Sequence, residues 1–460
     1  MQGSGVREMR LRSRVAVWCG KLACVVSRRL GKGNGSSFPG RVARKIDPDI
    51  LSVLSSMVKE KTIAVTGTNG KTTTTSLLAH VLSESGKTVV WNRMGANLMD
   101  GATTSFVLAA KKSGRLDADY ACIEVDEMAS VKVFPKIKPD CVLVTNIFRD
   151  QLDRTCEVDI TCGQIQKAMA TVPEAKLITN CDDICSYTLA DGCKNPRLTY
   201  GIGERIADDM PAGTGESVFC PSCGCKLEYD FVHYGQLGVY HCPECGLKRP
   251  EPDMTVTDVE FRDGAYSFTI DGRRIESGAQ APYNVYNTLS VYTALCAVDA
   301  PRDQFERAIK IFDYGNRREC AYQIDGARVQ LYLAKNPVGF QQKIFLIRRD
   351  PNPKDIVIQI NDTVLDGEDV SWLWDVDFSY LHEAGVASIV TVGTRGADME
   401  VRLKYEDIAS RCGRDIRETV EELTRRGSRN LYIITNYSGL YRTIGMLDEM
   451  QAAGKERVSG

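Results

Sequence analysis

Beyond Lys61 the hydrophobic pattern changes period at regular intervals. Short apolar runs at 62–66, 88–91, 118–125, 141–145 and 175–179 read as buried strands. Segments from Thr73 and around 165–170, with apolar residues every three or four positions, read as helices. Strands separated by helices predict a mainly parallel sheet covered on both faces, hence an α/β fold whose ligands collect at the carboxyl ends of the strands. The alternation stops over 218–252, where cysteines cluster, and resumes with antiparallel strands at 256–261 and 265–270 and a helix at 286–298. After a helix at 304–312, a second alternating set begins near Ala327: strands at 329–333, 356–360, 388–392 and 431–435, with a helix at Ile416–Arg425. It predicts a smaller C-terminal α/β domain of Rossmann-like type. The predicted division is an N-terminal segment 1–45, a central domain 46–318 holding the insert 218–252, and a C-terminal domain 319–460.

The first 45 residues have a different character. They hold eleven Lys/Arg and one acid, Glu8, with Val15, Val17, Trp18, Leu22, Val25, Val26 and Leu30 interleaved as on an amphipathic helix. Such a helix either lies on an anionic membrane surface or packs on the body with its basic face in water. No apolar run approaches the roughly 18 to 20 residues of a membrane span, so neither a transmembrane helix nor a signal peptide is expected. Residues 31–40, ending Phe38-Pro39-Gly40, read as a linker or turn, and 47–59 has helical spacing. The whole chain is nearly neutral, 58 Lys+Arg against 60 Asp+Glu, which argues against a nucleic-acid binder. Seventeen cysteines fit a reducing cytoplasm, where thiols serve as core hydrophobes or metal ligands.

The clearest chemistry lies where the first strand ends. A glycine-bearing loop, Gly67, Thr68, Asn69, Gly70, Lys71, Thr72 and Thr73, leads into a helix. Glycines let N–H groups approach phosphate oxygens, Lys71 neutralises terminal-phosphate charge, the Thr72 hydroxyl suits Mg²⁺, and the helix N-terminus favours anions. The loop is not a regular P-loop, because the first glycine of that spacing would fall at Val65. Glu124 closes a later strand, beside Asp126 and Glu127, where a carboxylate would ligate the Mg²⁺ of a nucleotide. Asn284 and Asn287, at a helix entry, are candidates for adenine or ribose, although Asn is also an ordinary capping residue. In Gly315-Asn-Arg-Arg-Glu319 a basic side chain, Arg317, can meet nucleotide phosphate or make an interdomain pair.

Cys220-x-x-Cys223 and Cys242-x-x-Cys245 form two knuckles able to converge four thiolates on Zn²⁺. A full set of four leaves no open coordination position, so this zinc is expected to be structural.

Together, Gly67-Thr-Asn-Gly-Lys-Thr-Thr73, the acid at Glu124, Thr145-Asn146 with Asp150-x-Leu-Asp-Arg154, and Asn284-x-x-Asn287 resemble the central domain of the Mur ligases. Those enzymes use ATP to phosphorylate a carboxylate, and an amine then attacks the acyl phosphate. Two family histidines are replaced, by Gln151 and Tyr283, and Gln166 with Lys167 stands where a carbamylated lysine is often found. The Cys₄ insert, with Leu333-Ala-Lys-Asn-Pro-Val-Gly-Phe340 and Asp366-Gly-Glu-Asp-Val-Ser-Trp-Leu-Trp-Asp375, narrows the resemblance to the synthetase subunits of lipid II isoglutaminyl synthases. That likeness implies ATP-dependent amidation of the α-carboxyl of D-glutamate in the lipid II stem peptide, at the inner face of the membrane. It implies a GatD-like class I glutamine amidotransferase partner, in a heterodimer or larger complex, whose Cys-His-Asp triad Asp369 would complete.

The residues themselves also call for a partner. A glutaminase needs a Cys nucleophile beside a His base, and of the chain's four histidines only His382 is uncommitted by position. The rival readings are a free-standing Mur-type amino-acid ligase and a zinc-ribbon nucleotide-binding regulator that engages nucleic acid.

Overall fold

The computed structural model describes residues 10–29, 35–93, 95–148, 158–206, 218–314, 319–363 and 366–459. Two compact units emerge, one from the described residues of Met1–Ile147, Val158–Met210 and Ser217–Phe312, the other from Phe148 and the described residues of Asp313–Gly460.

The first unit opens with helices α1 (Leu11–Arg29), α2 (Phe38–Ile46) and α3 (Ile50–Ser55). The turn expected at 38–40 is instead the first turn of α2. Proline is pre-organised for that position, and Gly40 is required because a Cβ there would lie 2.0 Å from the Asp100 carbonyl oxygen. Then come β1 (Lys61–Thr66), α4 (Lys71–Glu84), β2 (Val89–Trp91), α5 (Met99–Ala109), β3 (Tyr120–Glu124), α6 (Ser130–Ile137) and β4 (Cys141–Val144). They are followed by α7 (Val158–Met169), β5 (Lys176–Asn180), α8 (Ile184–Leu189), β6 (Arg197–Ile202), the hairpin β7 (Glu228–Tyr234) and β8 (Leu237–His241), and β9 (Met254–Arg262), β10 (Ala265–Ile270) and β11 (Arg273–Glu276). α9 (Pro282–Ala297) and α10 (Phe305–Ile311) close the unit.

Its nine-stranded sheet has the order β11-β10-β9-β6-β5-β4-β1-β3-β2, parallel from β2 to β9 and antiparallel over β9-β10-β11. β1 lies between β3 and β4, with Val65 level with Glu124 and Thr66 level with Val144. This register brings the phosphate loop, Glu124 and Thr145-Asn146 to one edge. β1, β3 and β4 are almost wholly buried, as expected of strands covered on both faces.

The second unit begins with β12 (Glu319–Ile324), earlier than the strand set expected from Ala327, paired antiparallel to β13 (Ala327–Leu333) through a tight Asp325-Gly326 turn. α11 (Pro337–Arg348), β14 (Lys354–Gln359), β15 (Val386–Val392), α12 (Gly396–Lys404), β16 (Arg411–Cys412), α13 (Ile416–Arg425), β17 (Asn430–Thr435) and α14 (Tyr437–Ser459) follow. The sheet order is β12-β13-β17-β14-β15-β16, all parallel beyond the first hairpin, which is Rossmann-like.

Candidate functional site

The phosphate loop is clasped by the segment after β4. Asn146 accepts from Thr68 N through its carbonyl and from Asn69 N through Oδ1, at 2.8 and 2.9 Å, while the Thr145 hydroxyl donates to Asn69 O at 2.7 Å. Gly67 has φ +115°, and a Cβ on it would sit 2.4 Å from Thr145 Oγ1, so the clasp itself demands glycine. Gly70, at φ +83°, precedes α4, and a Cβ there would lie 2.5 Å from Asn287 Oδ1. α4 starts at Lys71, so the N–H groups of Lys71, Thr72 and Thr73 occupy its first turn, where no intrahelical acceptor exists. They supply a donor set for an anion.

Lys71 is buried, with Nζ 2.8 Å from Glu127 Oε1 and 3.2 Å from the Thr68 carbonyl oxygen. Burial works against its charge, but the carboxylates of Glu127 and Glu124 outweigh it, so its pKa lies above the ordinary lysine value. Burial pushes the Glu127 carboxyl up. Thr72 Oγ1 donates to Glu124 Oε2 at 2.7 Å, bringing together the two side chains expected to share Mg²⁺. Glu124 is itself oriented: Asn97 Nδ2 donates to its Oε1 at 3.0 Å, and Asn92 bonds both its main-chain N–H and C=O at 2.8 Å. A hydroxyl and a carboxylate form a hard-oxygen donor pair that suits Mg²⁺.

Asn287 approaches the loop by accepting from the Thr74 hydroxyl through Oδ1 at 3.3 Å, and its Nδ2 donates to Asn284 Oδ1 at 3.1 Å. Both asparagines are buried. Arg317, Asp150, Gln151, Asp153 and Arg154 lie outside the described residues. Gln166 donates to the Leu189 carbonyl oxygen, and Lys167 is exposed.

The four cysteines converge. The sulfurs of Cys220, Cys223, Cys242 and Cys245 all lie within 4.8 Å of one another, with Cys220–Cys245 at 3.6 Å and Cys223–Cys242 at 3.4 Å. Zn–S bonds of about 2.3 Å at tetrahedral angles imply sulfur separations of roughly 3.8 Å, so the cluster fits such an ion. The knuckles repeat one design: Gly224 donates to Cys220 O and Gly246 to Cys242 O, at φ +74° and +75°. The insert is fastened to the sheet by buried polar groups that the sequence did not announce. Arg249 Nε donates to Asp182 Oδ1 at 2.8 Å, and Tyr286 and Ile202 N reach Asp182 Oδ2 at 2.6 Å. Gln236, in the hairpin turn, donates to Asp183 Oδ1 at 2.6 Å and to Ile147 O at 2.8 Å.

In the second unit, Asp369 is half-buried and its Oδ1 accepts from Ser371 N at 2.7 Å. Asp366, earlier in the same loop, is buried and accepts from Thr363 Oγ1 and Ser438 N, both at 2.8 Å, which ties the loop to the start of α14. Trp372 turns inward towards Phe340, whereas Trp374 is 52% exposed and meets the exposed Tyr405 edge to face at 5.1 Å. Asn336 caps α11 by accepting from Gly339 N, with Lys335 just before it.

The Mur ligase middle domain model matches residues 65–222 and the MurT ligase C-terminal model residues 333–440. The subunit MurT of lipid II isoglutaminyl synthase (glutamine-hydrolyzing) from Streptococcus pneumoniae is 31% identical over 97% of this chain and 100% of its own length. The Staphylococcus aureus subunit is 31% identical over 86% and 89%. Among solved structures, a pseudomurein peptide ligase type C from Methanothermus fervidus has TM-score 0.65 and 21% identity over 86% of this chain and 80% of that one. A Thermotoga maritima MurF ligase in complex with ADP has TM-score 0.59 and 12% identity over 90% and 84%, a likeness of fold. With the loop, its acids and the cysteine insert set on this fold, and with that identity along nearly the whole chain, the protein belongs to the MurT family of Mur-ligase-like subunits.

Proposed function

We propose that this chain is the ATP-using synthetase subunit of a lipid II isoglutaminyl synthase. The observation that carries the reading is full-length similarity to subunits of that name, joined to a loop in which Lys71, Thr72 and Glu124 converge. In this reading ATP lies along Gly67 to Thr73, with Asn287 and Arg317 contributing to its binding. Thr72 and Glu124 hold Mg²⁺, which neutralises phosphate charge when bound. The D-glutamate α-carboxylate of the lipid II stem peptide attacks the γ-phosphorus and ADP leaves. Ammonia then adds to the acyl carbon and phosphate departs, giving D-isoglutamine. Lys71 offsets charge on the transferring phosphoryl group. A structural Zn²⁺ sits in the Cys220, Cys223, Cys242 and Cys245 cluster. The central domain spans 46–318 with the ribbon at 218–252, and the C-terminal domain 319–460.

Ammonia comes from a class I glutaminase partner. All four histidines here are engaged by a carbonyl or carboxylate oxygen: His80 by Ala308, His233 by Ile202, His241 by Glu228 and His382 by Glu406. None is paired with a thiol in these contacts, which supports borrowing the nucleophile from another chain. Asp369 is then the carboxylate given in trans to the partner's histidine, where it fixes the tautomer and stabilises imidazolium. Because the substrate is lipid-linked, the reaction belongs at the inner face of the membrane. No described helix is long and apolar enough to cross one.

The test uses the purified chain with and without a glutaminase subunit. Alone it should amidate lipid II with ammonium salts and ATP but release no ammonia from glutamine. In the complex, Asp369→Asn should abolish glutamine-dependent turnover and spare ammonium-dependent turnover; equal loss of both refutes the role in trans.

A further inference from the structure

α1 is amphipathic in an unusual sense. Its packed face consists of small residues, and its large apolar residues point to solvent. Ser13, Ala16, Val17, Gly20, Ala23, Cys24 and Ser27 are buried at spacings of three and four, against α2 and α5. Gly20 sits so close that a Cβ would lie 2.7 Å from Val107 Cγ1 and 3.1 Å from the Pro39 carbonyl oxygen. Polar ties lock this orientation: Ser13 Oγ donates to Asp47 Oδ2, Trp18 Nε1 to Lys112 O at 2.9 Å, and Lys21 Nζ to Leu108 O at 2.8 Å.

On the opposite side a second stripe runs the length of the helix. Leu11 is 76% exposed, Val15 43%, Trp18 54%, Leu22 64%, Val25 48% and Val26 43%. At 100° per residue these six positions fall within an arc of roughly 100° centred opposite the buried face. A contiguous apolar stripe of this size on a helix already docked by its other face marks an interaction surface. The surroundings say which kind. α1 contains no acid, exposed Arg12, Arg14 and Arg29 lie on it, and exposed Lys112 stands over the Trp18 ring, while Lys111 next to it is paired with Asp117. The whole chain has a formal charge of −2, so this cationic rim is a local asymmetry rather than a general property.

We propose that α1 is an interfacial helix that seats the apolar stripe of Leu11, Val15, Trp18, Leu22, Val25 and Val26 in the headgroup region of an anionic bilayer, with its flanking arginines and Lys112 on lipid phosphates. Charge interrupts the helix too often for it to span, and a basic-edged apolar face lies in the interface plane instead. A Trp whose indole N–H is bonded to the protein and whose ring is half exposed suits that depth. The inference deepens the proposed reaction at a membrane, and rests on that reading only for which membrane is met.

The experiment is co-sedimentation of the full chain with phosphatidylcholine vesicles and with vesicles containing 30 mol% phosphatidylglycerol, at ~0.1 M salt where surface charge is still felt over about 10 Å. Native protein should partition onto the anionic vesicles at least ~10-fold better than onto neutral ones, with a blue shift of fluorescence absent from Trp18→Phe. Leu22→Asp should reduce that partition by about 10-fold or more, and Arg14→Glu by a few-fold. Both positions are exposed, so thermal melting and ammonium-dependent turnover on detergent-solubilised lipid II should stay unchanged. Equal partition of native and Leu22→Asp chains, or of native chain onto both vesicle types, overturns the proposal. So does a lipid-free dimer that Leu22→Asp dissolves, which would make the stripe a contact between copies. Failure of the amidation assay with vesicle binding intact would count against the reaction alone.

Discussion

Gln236 Nε2 and Asp183 Oδ1 lie 2.6 Å apart, and between them the two residues hold both main-chain polar atoms of Ile147: Gln236 takes the carbonyl, Asp183 Oδ2 the N–H. Ile147 directly follows Asn146, which clasps Thr68 and Asn69 of the phosphate loop. A turn of the cysteine insert is thus two bonds removed from the nucleotide loop. Gln236→Leu leaves the buried Ile147 carbonyl without its donor and removes one of several donors from Asp183, which keeps Ile147 N and Cys185 N, at a cost of about 1–3 kcal/mol. The expected outcome is a lowered urea midpoint and a several-fold higher KM for ATP, with kcat at saturating ATP nearly kept. A KM equal to that of the native chain would show that the clasp does not reach the loop.

Metal removal follows from the same connection. The native chain should carry one zinc per molecule by elemental analysis, and Cys223→Ser or strong chelation should remove it. Because Arg249 and Gln236 are held on the body by a ribbon that four thiolates close, ATP affinity should fall roughly 10-fold on metal loss, consistent with metal-coupled local folding. Cys225→Ser, at a cysteine outside the ligand set, is the control and should keep both zinc and affinity.

Two buried titrating groups near the insert oppose each other in pH. Burial pushes the Asp183 carboxyl up to about 6, and burial lowers His233 to about 4. Asp183 binds its proton more tightly folded than unfolded, so the stability it confers is full below about pH 4 and is lost as pH rises through 6. His233 runs the other way: unfolding takes up a proton below about 6.5, so its contribution is full above that and is lost as pH falls through 4. Each term is on the order of 3 kcal/mol, and in the native chain they largely cancel between pH 4 and 6. Denaturant melts of His233→Gln should therefore show stability falling as pH rises across this window, and those of Asp183→Asn the reverse. Parallel slopes for the two variants would contradict the assignment.

The legibility of this site in the sequence was uneven for physical reasons. The glycines, Lys71, Thr72, Glu124 and the paired cysteines could be read because close backbone approach and metal ligation admit few residue types at fixed spacings. Most strands were visible too, since β1, β3, β4, β14 and β17 are apolar on both faces. Three acids end β3, but only the register shows Glu124 facing Thr72 and Glu127 facing Lys71. Asn92 and Asn97, which orient Glu124, come from the segment after β2, brought alongside by parallel pairing of β2 with β3. For α1, amphipathic spacing was evident, but not that small residues form the buried side. Gly20 and Ala16 pack because helices approach closely there, which no hydrophobicity pattern announces. β12 was missed because its residues alternate weakly with polar ones, and pairing with β13 supplies the order.

Lys71 and Glu127 give the last prediction. Their side chains are 10% and 6% exposed and 2.8 Å apart, so each is the other's main compensation in a desolvated loop. If phosphate takes over the ammonium when ATP binds, Glu127 stabilises chiefly the nucleotide-free state. Glu127→Gln should then cost roughly 3 kcal/mol without nucleotide, because it strands a buried charge that Glu124 only partly answers. Adding ATP and Mg²⁺ should restore most of that loss, so the ligand-induced rise in Tm should be larger in Glu127→Gln than in the native chain. Differential scanning calorimetry of both, with and without nucleotide, measures it. Identical rises would mean that Lys71 keeps Glu127 as its partner throughout, and that the anion is held by the first turn of α4 alone.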